Sequence, residues 1–306
     1  MLSAMSTDSR DWRNELDEAA RTALNEGLAA SSLWSLLLGV MEQRARRKPA
    51  ALLEQWRQDR FVQPCAIDQR TLHELDSHLL AAASEFEAIE LAPLAPLGAC
   101  SNVAVTSQNR IVSTARGTEV VSDPTNVLAL ESVRRLRETP AAEIKLATSH
   151  RCTRAQPVPD IPGFEAHFRI FCLTSAAHER KDHAFVTDAL GEHIRTHCAA
   201  LERLERHGYS FAPRSVKILS TPARRHLAER IAASLSGIPV IHAELEHGYY
   251  DGLRFMIDAS TPDGARIPLI DGGAFDWLRK LGANDKLAYV ASGMGSQLAA
   301  FAFRTR

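Results

Sequence analysis

The chain of 306 residues has no surplus charge, few aromatic side chains and no long apolar run. Its 36 lysines and arginines stand against 37 aspartates and glutamates, so no global field is available to hold a nucleic acid, although a local basic face stays open. Cysteine is also scarce. Cys65, Cys100, Cys152, Cys172 and Cys198 are odd in number and form no CxxC pair, which fits reduced thiols in a cytoplasm better than a disulfide framework. The apolar stretch Leu33 to Met41 is far short of the roughly 20 residues that a membrane span needs. It follows Asp8, Asp11, Glu15, Asp17 and Glu18 rather than a basic leader, which argues against a secretory signal. With 45% apolar and 24% charged residues, the chain can bury one large core, or one core with a small helical appendage.

The spacing predicts a helical extension over residues 1–64. Leu16, Ala20, Leu24 and Leu28 recur every four residues, Leu33, Trp34, Leu37, Leu38 and Met41 form a second stripe after a break at Ser31-Ser32, and Leu52, Leu53 and Trp56 mark a third helix. Arg44, Arg46, Arg47 and Lys48 close the second helix, where positive charge suits the carbonyl end of the helix dipole. From residue 65 the pattern mixes helices and strands. A helix is expected over Thr71 to Ser84, leading into FEAIELAPLAPLG. Short strands are expected in NVAVTSQNRIVST and GTEVVSD, where Val103, Val105, Val120 and Val121 alternate, and a helix from Thr125 to Arg137. Asp182 to His207 reads as a long helix ended by Gly208, SVKILST as a strand and Pro222 to Leu235 as a helix.

Several short blocks carry chemistry. Asp123 and Thr125 sit at a strand-to-helix junction, where both serve as N-caps, and a carboxylate beside a hydroxyl also holds an ammonium group. His193 and His197 lie one helical turn apart, which is ligand spacing, but HIRTH lacks the glutamate that a zincin needs, and two solvent-facing histidines explain the pair equally. Glu244, Glu246 and His247 offer polar groups that Cys152 or Cys172 would have to join to ligate zinc. The paired glycines Gly272 and Gly273 end an apolar strand, allowing close backbone approach to a ligand, while Asp271 fits a tight-turn cap.

In order along the chain, FEAIELAPLAPLG, VVSDPTNVLALE, SHRCTRAQ, HFRIF, LEHGYYDGLRF, DGGAFDWLRKLGAN and ASGMGSQLAAF resemble the catalytic core of a class II aminoacyl-tRNA synthetase, closest to the histidyl type, over residues 66–306. The resemblance implies an α+β fold, an antiparallel sheet of six or more strands flanked by helices, and a homodimer formed through the segment Thr71 to Pro96, with Pro93 or Pro96 at the family's proline position. It implies that Arg151 is the catalytic arginine on the α-phosphate and the substrate carboxylate. Arg154 and Phe168 would join Arg151 in binding nucleotide, and Asp123, Thr125, Gln156, Tyr249, Tyr250, Gly272 and Gly273 would border the amino acid. An arginine suits the first task because its planar fork grips oxyanions through parallel bonds. Tyr249 and Tyr250 would lie on a strand.

The chain also departs from the family pattern. Thr153 stands where the family has an adenine-binding glutamate, Leu298 where it has the arginine that binds the γ-phosphate, and Leu245 and Gly248 replace an arginine and an acidic residue before the tyrosine pair. The loop PVPDIPGFEA is longer than in the family, and no anticodon-binding domain follows the last block, so full tRNA recognition is not expected. Two readings follow from the resemblance. One is an enzyme that activates an amino acid or related carboxylate with ATP and Mg2+ and transfers it to a carrier protein or small amine. The other is a non-catalytic amino-acid-binding paralogue that regulates a biosynthetic partner enzyme, like the regulatory subunit of ATP phosphoribosyltransferase. Chemistry on this scaffold without ATP is a third possibility.

Overall fold

The computed structural model describes residues 17–104, 106–158, 163–246 and 248–305. Asp8, Asp11, Glu15, Leu16, Val105, His247 and residues 159–162 of the proline-rich loop lie outside them. The chain divides into one unit of residues up to Gln58 together with Thr114–Thr118, and a second unit of Asp59–Ser113 and Glu119–Arg306. The division therefore falls before residue 64, and a short later segment joins the first unit.

In the first unit, helix α1 (Glu18–Thr22) is capped by Asp17, whose carboxylate accepts from the Ala20 amide at 2.7 Å. A π-turn at Ala23–Gly27 follows, then α2 (Ala30–Ala45) and α3 (Pro49–Gln58). The expected break at Ser31-Ser32 falls instead at Leu28 and Ala29, which are extended, so both serines lie in the first turn of α2. Late in that helix Arg46 pairs with Glu42 at 3.2 Å. No residue of α1, α2 or α3 is fully buried.

The second unit follows the sequence pattern more closely. Helix α4 (Gln69–Ala82), capped by Asp68, buries Leu72, Leu75 and Leu79 at helical spacing. Next come β1 (Glu87–Ala88), β2 (Leu94–Pro96), α5 (Ala99–Val103), β3 (Thr118–Val120), α6 (Pro124–Glu138), β4 (Ile144–Thr153) and β5 (His167–His178). The chain continues through α7 (Ala184–Glu205), β6 (Arg214–Ser220), α8 (Arg225–Ser234), β7 (Val240–Glu244) and β8 (Leu253–Ser260). It ends with β9 (Arg266–Phe275), α9 (Trp277–Gly282), β10 (Leu287–Met294) and α10 (Ser296–Ala302). Eight strands form one sheet in the order β1-β4-β5-β10-β9-β8-β6-β7, antiparallel except that β1 and β7 join its edges in parallel. This is the expected α+β architecture.

The stretch NVAVTSQNRIVST is not extended at its start: Val103 belongs to α5, and Gln108–Arg110 is a 3-10 turn. The buried carboxylate of Glu119 accounts for this, since it accepts from the Gly98 amide at 2.8 Å and the Cys100 amide at 2.9 Å and so caps α5. Gly98 enters the helix at φ +88°, which favours glycine.

Alternation along the central strands assigns the two faces of the sheet. On one face Phe171 and Leu173 of β5, Val290 of β10 and Ile270 of β9 pack with Leu190, Ile194 and Leu201 of α7 and with Leu75 and Leu79 of α4. On the other, Cys172 meets Leu128 of α6, while Ala176, Tyr289 and Phe275 surround Ala129 and Val133 of the same helix. Each large apolar side chain so buried contributes about 1.5–3 kcal/mol.

His193 and His197 do not face solvent. Both are fully buried beneath the sheet, where His193 Nδ1 lies 2.9 Å and His197 Nε2 2.8 Å from the Ser292 hydroxyl, and His193 Nε2 lies 3.0 Å from Ser175. Every third or fourth residue of α7 turns toward the sheet, and these positions share the stripe of Leu190, Ile194 and Leu201. Cys172 on β5 is five strand spacings from Glu244 on β7, roughly 24 Å, so no zinc site joins them. Among the described residues no cluster of metal-ligating side chains occurs.

Burial pushes His197 down to about 3 and His193 well below its usual value. In the unfolded chain both rings take up a proton near about pH 6.5. Their contribution to stability is therefore complete above that pH and falls away as the pH drops toward the folded-state values, by up to about 1.4 kcal/mol per pH unit for each ring. Urea unfolding midpoints should fall steadily between about pH 7 and about pH 5, and His197→Leu should flatten the slope. A flat wild-type profile would contradict this.

Candidate functional site

A cavity of about 470 Å³ opens on the α6 face of the sheet. Its walls come from the start of α6, the end of β4 and the following loop, β5, the turn before β8, β9 and β10. Asp123, Thr125, Arg154, Gln156, Phe168, Tyr249, Tyr250 and Gly272 all line it, as does Leu298. Residues separated by more than a hundred positions thus meet at one place.

Asp123 has two roles here. Its Oδ1 accepts from the Thr125 amide at 3.0 Å and the Thr125 hydroxyl at 2.6 Å, capping α6, while its Oδ2 lies 3.8 Å from an Arg154 guanidinium nitrogen. Arg154 donates from Nε to the Ser122 carbonyl at 3.1 Å, and its guanidinium lies over the Phe168 ring at 5.1 Å. One end of the cavity is therefore a carboxylate and an arginine held against a helix N-terminus and an aromatic ring.

At the other end Arg254 grips Asp271 through two bonds of 2.9 Å, and its guanidinium lies 5.2 Å from the centre of the Tyr250 ring. Burial pushes the Tyr250 phenol up, with the Asp271 charge adding to the effect, so it stays protonated at neutral pH. Tyr249 stands edge-on to Tyr250 at 5.0 Å and to Phe275 at 5.5 Å. The two tyrosines occupy the turn that precedes β8 rather than a strand, because β8 begins only at Leu253. Asp251 and Gly252 hold that turn: the Asp251 amide donates to the Ala274 carbonyl at 2.8 Å and Gly252 adopts φ +73°. Burial raises the Cys172 thiol well above its usual value, so no thiolate nucleophile faces this space.

Arg151 is not among the lining residues. It pairs with Arg169 across β4 and β5 and follows Ser149 on the face covered by α4, where Ser149 bonds Asp76. Its guanidinium lies 2.9 Å from His167 Nδ1 and 3.1 Å from the Gln297 amide oxygen. Thr153 shares that parity and does not line the cavity. Only even-numbered residues of β4 turn toward α6, as Leu146 and Cys152 do, so the arginine that reaches the cavity is Arg154, just past the strand end.

Gly273 also stays out of the lining, yet both glycines are required for it. A Cβ on Gly273 would lie 2.4 Å from Tyr250 Cδ1 and from the Leu253 carbonyl oxygen. One on Gly272 would lie 2.4 Å from Ser292 Cβ and 2.7 Å from Phe255 on the opposite face. Sequence reasoning missed Arg254 and the outward role of Asp271. Their signal was an arginine and an aspartate on neighbouring strands, each within two residues of a glycine, but pairing cannot be inferred before the register is known.

A search of protein-family profiles and one of curated proteins return no match for this chain. Solved structures do match. One is the apo histidyl-tRNA synthetase of S. aureus, at 14% identity and TM-score 0.54 over 76% of this chain; the chain spans 64% of that enzyme's length. Another, from Bacillus halodurans, is described as an ATP phosphoribosyltransferase regulatory subunit/histidyl-tRNA synthetase, at 14% identity and TM-score 0.60, covering 84% of this chain and 83% of that one. A histidine–tRNA ligase subunit from Alicyclobacillus acidocaldarius matches at 12% identity and TM-score 0.57, covering 84% and 97%. The chain has the fold of a histidyl-tRNA synthetase catalytic core, a class II synthetase fold.

Gly272→Ala should destabilise the protein by about 1–3 kcal/mol in urea unfolding through its clash with Ser292 and Phe255. Gly273→Ala should cost a similar amount and also shift Tyr250, read as a change in the tyrosine near-ultraviolet circular dichroism. Wild-type stability in both variants would contradict the packing described.

Proposed function

We propose that the α6-face cavity binds an amino acid or a similar small zwitterion, and that the protein acts as a binding and regulatory relative of the synthetase fold. The observation that carries this reading is the commitment of the cavity's cations. Arg154 faces Asp123 and Arg169 is paired with Asp76, so both arginines of the lining already answer a carboxylate. A ligand that brings its own ammonium and carboxylate exchanges partners within the Asp123 and Arg154 pair without leaving a charge uncompensated. The aromatic wall of Tyr249, Tyr250 and Phe275 then offers an apolar body for its side chain.

The residues present do not fit a nucleoside triphosphate with Mg2+. Leu298 lines the cavity where the resemblance calls for an arginine, Thr153 and Arg151 lie elsewhere, and no metal-ligating cluster occurs among the described residues. A regulated partner enzyme is the natural correlate of this reading, since the Bacillus halodurans neighbour is described as a regulatory subunit. A cytoplasmic homodimer through the Thr71 to Pro96 segment belongs to the same proposal. Among the described residues no helix is long and apolar enough to cross a membrane. The competing reading, ATP-dependent activation of a carboxylate for a carrier protein, draws its support from Arg154, Phe168 and Gln156, a ring and guanidinium of the kind on which a purine stacks.

Isothermal titration of the purified protein with each of the common amino acids tests the proposal. At least one should bind, and Arg154→Ala should weaken it about 10- to 100-fold through loss of a charge-assisted contact. Asp123→Asn, which keeps an oxygen to cap α6, should weaken it comparably without a large loss of stability. No binding by any amino acid, or equal binding by Arg154→Ala, would overturn the assignment. Sedimentation at micromolar concentration checks the dimer: a monomer would exclude it.

A further inference from the structure

A second cavity, about 420 Å³, lies on the opposite face of the sheet between α4, β4 and β5. It is lined by Arg151, Arg169, His167, His73 and Cys65, with Pro64, Ile67, Gln69 and Leu72 completing its wall. We propose that this cavity is an anion site that takes the phosphoryl group of a small phosphomonoester. Arg169 also borders the α6-face cavity, but Arg151, His167, His73 and Cys65 border only this one, and the proposal rests on them.

The charge balance supports it first. Two guanidinium groups line the cavity, and one of them, that of Arg169, is paired with Asp76, which also accepts from Ser149. Glu165, the other acidic side chain close by, turns to the Ala66 amide at 3.2 Å and to Gln297. Arg151 has no carboxylate partner among the described residues, and its recorded partners, His167 and Gln297, are neutral acceptors. Neither of these carboxylates is bonded to Arg151.

The donors also have usable directions. Because an arginine only donates, His167 Nδ1 is the acceptor of the 2.9 Å contact from Arg151, and His167 Nε2 carries the hydrogen that it donates to the Gln63 carbonyl at 2.6 Å. This clamp engages one nitrogen of the Arg151 guanidinium, and among the described residues Nε and the other terminal nitrogen have no hydrogen-bond partner. Arg169 Nε is buried and has no hydrogen-bond partner among the described residues. A buried donor left unpaired is costly, and a bound anion removes that cost. Two guanidiniums on neighbouring strands, with His73 at the mouth on the first turns of α4, present donors from separate directions. A tetrahedral phosphoryl group has three terminal oxygens to meet them, whereas a carboxylate offers two in one plane. The cavity exceeds what inorganic phosphate fills, and Pro64, Ile67 and Leu72 suit an apolar remainder, hence a monoester.

The experiment uses inorganic phosphate and phenyl phosphate as probes on the full chain at constant ionic strength. Both should bind saturably by calorimetry, phenyl phosphate more tightly, and Arg151→Gln should weaken both at least tenfold while leaving the phosphate-free melting temperature within a few degrees. Acetate at the same concentration should not compete. A readout that needs no variant is alkylation of Cys65, the one cysteine of the five that is not buried; phosphate should slow it several-fold. Absence of saturable binding, an unchanged affinity in Arg151→Gln, equal competition by acetate, or a Cys65 alkylation rate indifferent to phosphate would each overturn the proposal.

Discussion

The backbone ladder that joins β4, β5, β10 and β9 fixes, residue by residue, which side chains meet the α7 layer and which meet α6. Because the side-chain period of a strand is two, neighbours in sequence are separated by the thickness of the sheet. Phe171 and Cys172, Val290 and Ala291, Gly272 and Gly273 all divide in this way. The buried Ser292 that joins His193 and His197 follows Ala291, which lines the α6-face cavity, so a buried polar network and that cavity share a strand. One register keeps the core dry and the cavity polar at once.

That constraint also governs the charges. At the α6-face cavity two lining carboxylates each answer an arginine, Asp123 with Arg154 and Asp271 with Arg254. On the α4 face the balance differs, since Asp76 serves Arg169 while Arg151 is held by neutral groups.

The sequence revealed the architecture well and the sidedness poorly. Helical spacing located α4, α6 and α7 to within a few residues, since Leu72, Leu75 and Leu79 or Phe185, Leu190, Ile194 and Leu204 fall on a buried stripe, although Ala199, expected on the same stripe, is exposed. The ordered blocks brought most of the cavity lining together, because Asp123, the tyrosine pair and the glycine pair mark a cap, a turn and a close backbone approach. What failed was parity: SHRCTRAQ contains two arginines three residues apart, and nothing local says which one turns toward α6. The histidine pair misled for a related reason, since spacing of one turn describes a helix face without telling whether that face is wet. Glu119 was also illegible, because its effect on Gly98 and Cys100 acts across twenty residues of chain.

The central proposal is that the α6-face cavity takes a zwitterion rather than a triphosphate. It is tested most directly by thermal unfolding with amino acids and with ATP and Mg2+ added separately and together, because a ligand that binds only the folded state raises the melting temperature. The account predicts that one or more amino acids raise it while millimolar ATP with Mg2+ leaves it unchanged. A rise with ATP and Mg2+ alone, or with pyrophosphate release when an amino acid is added, would contradict it.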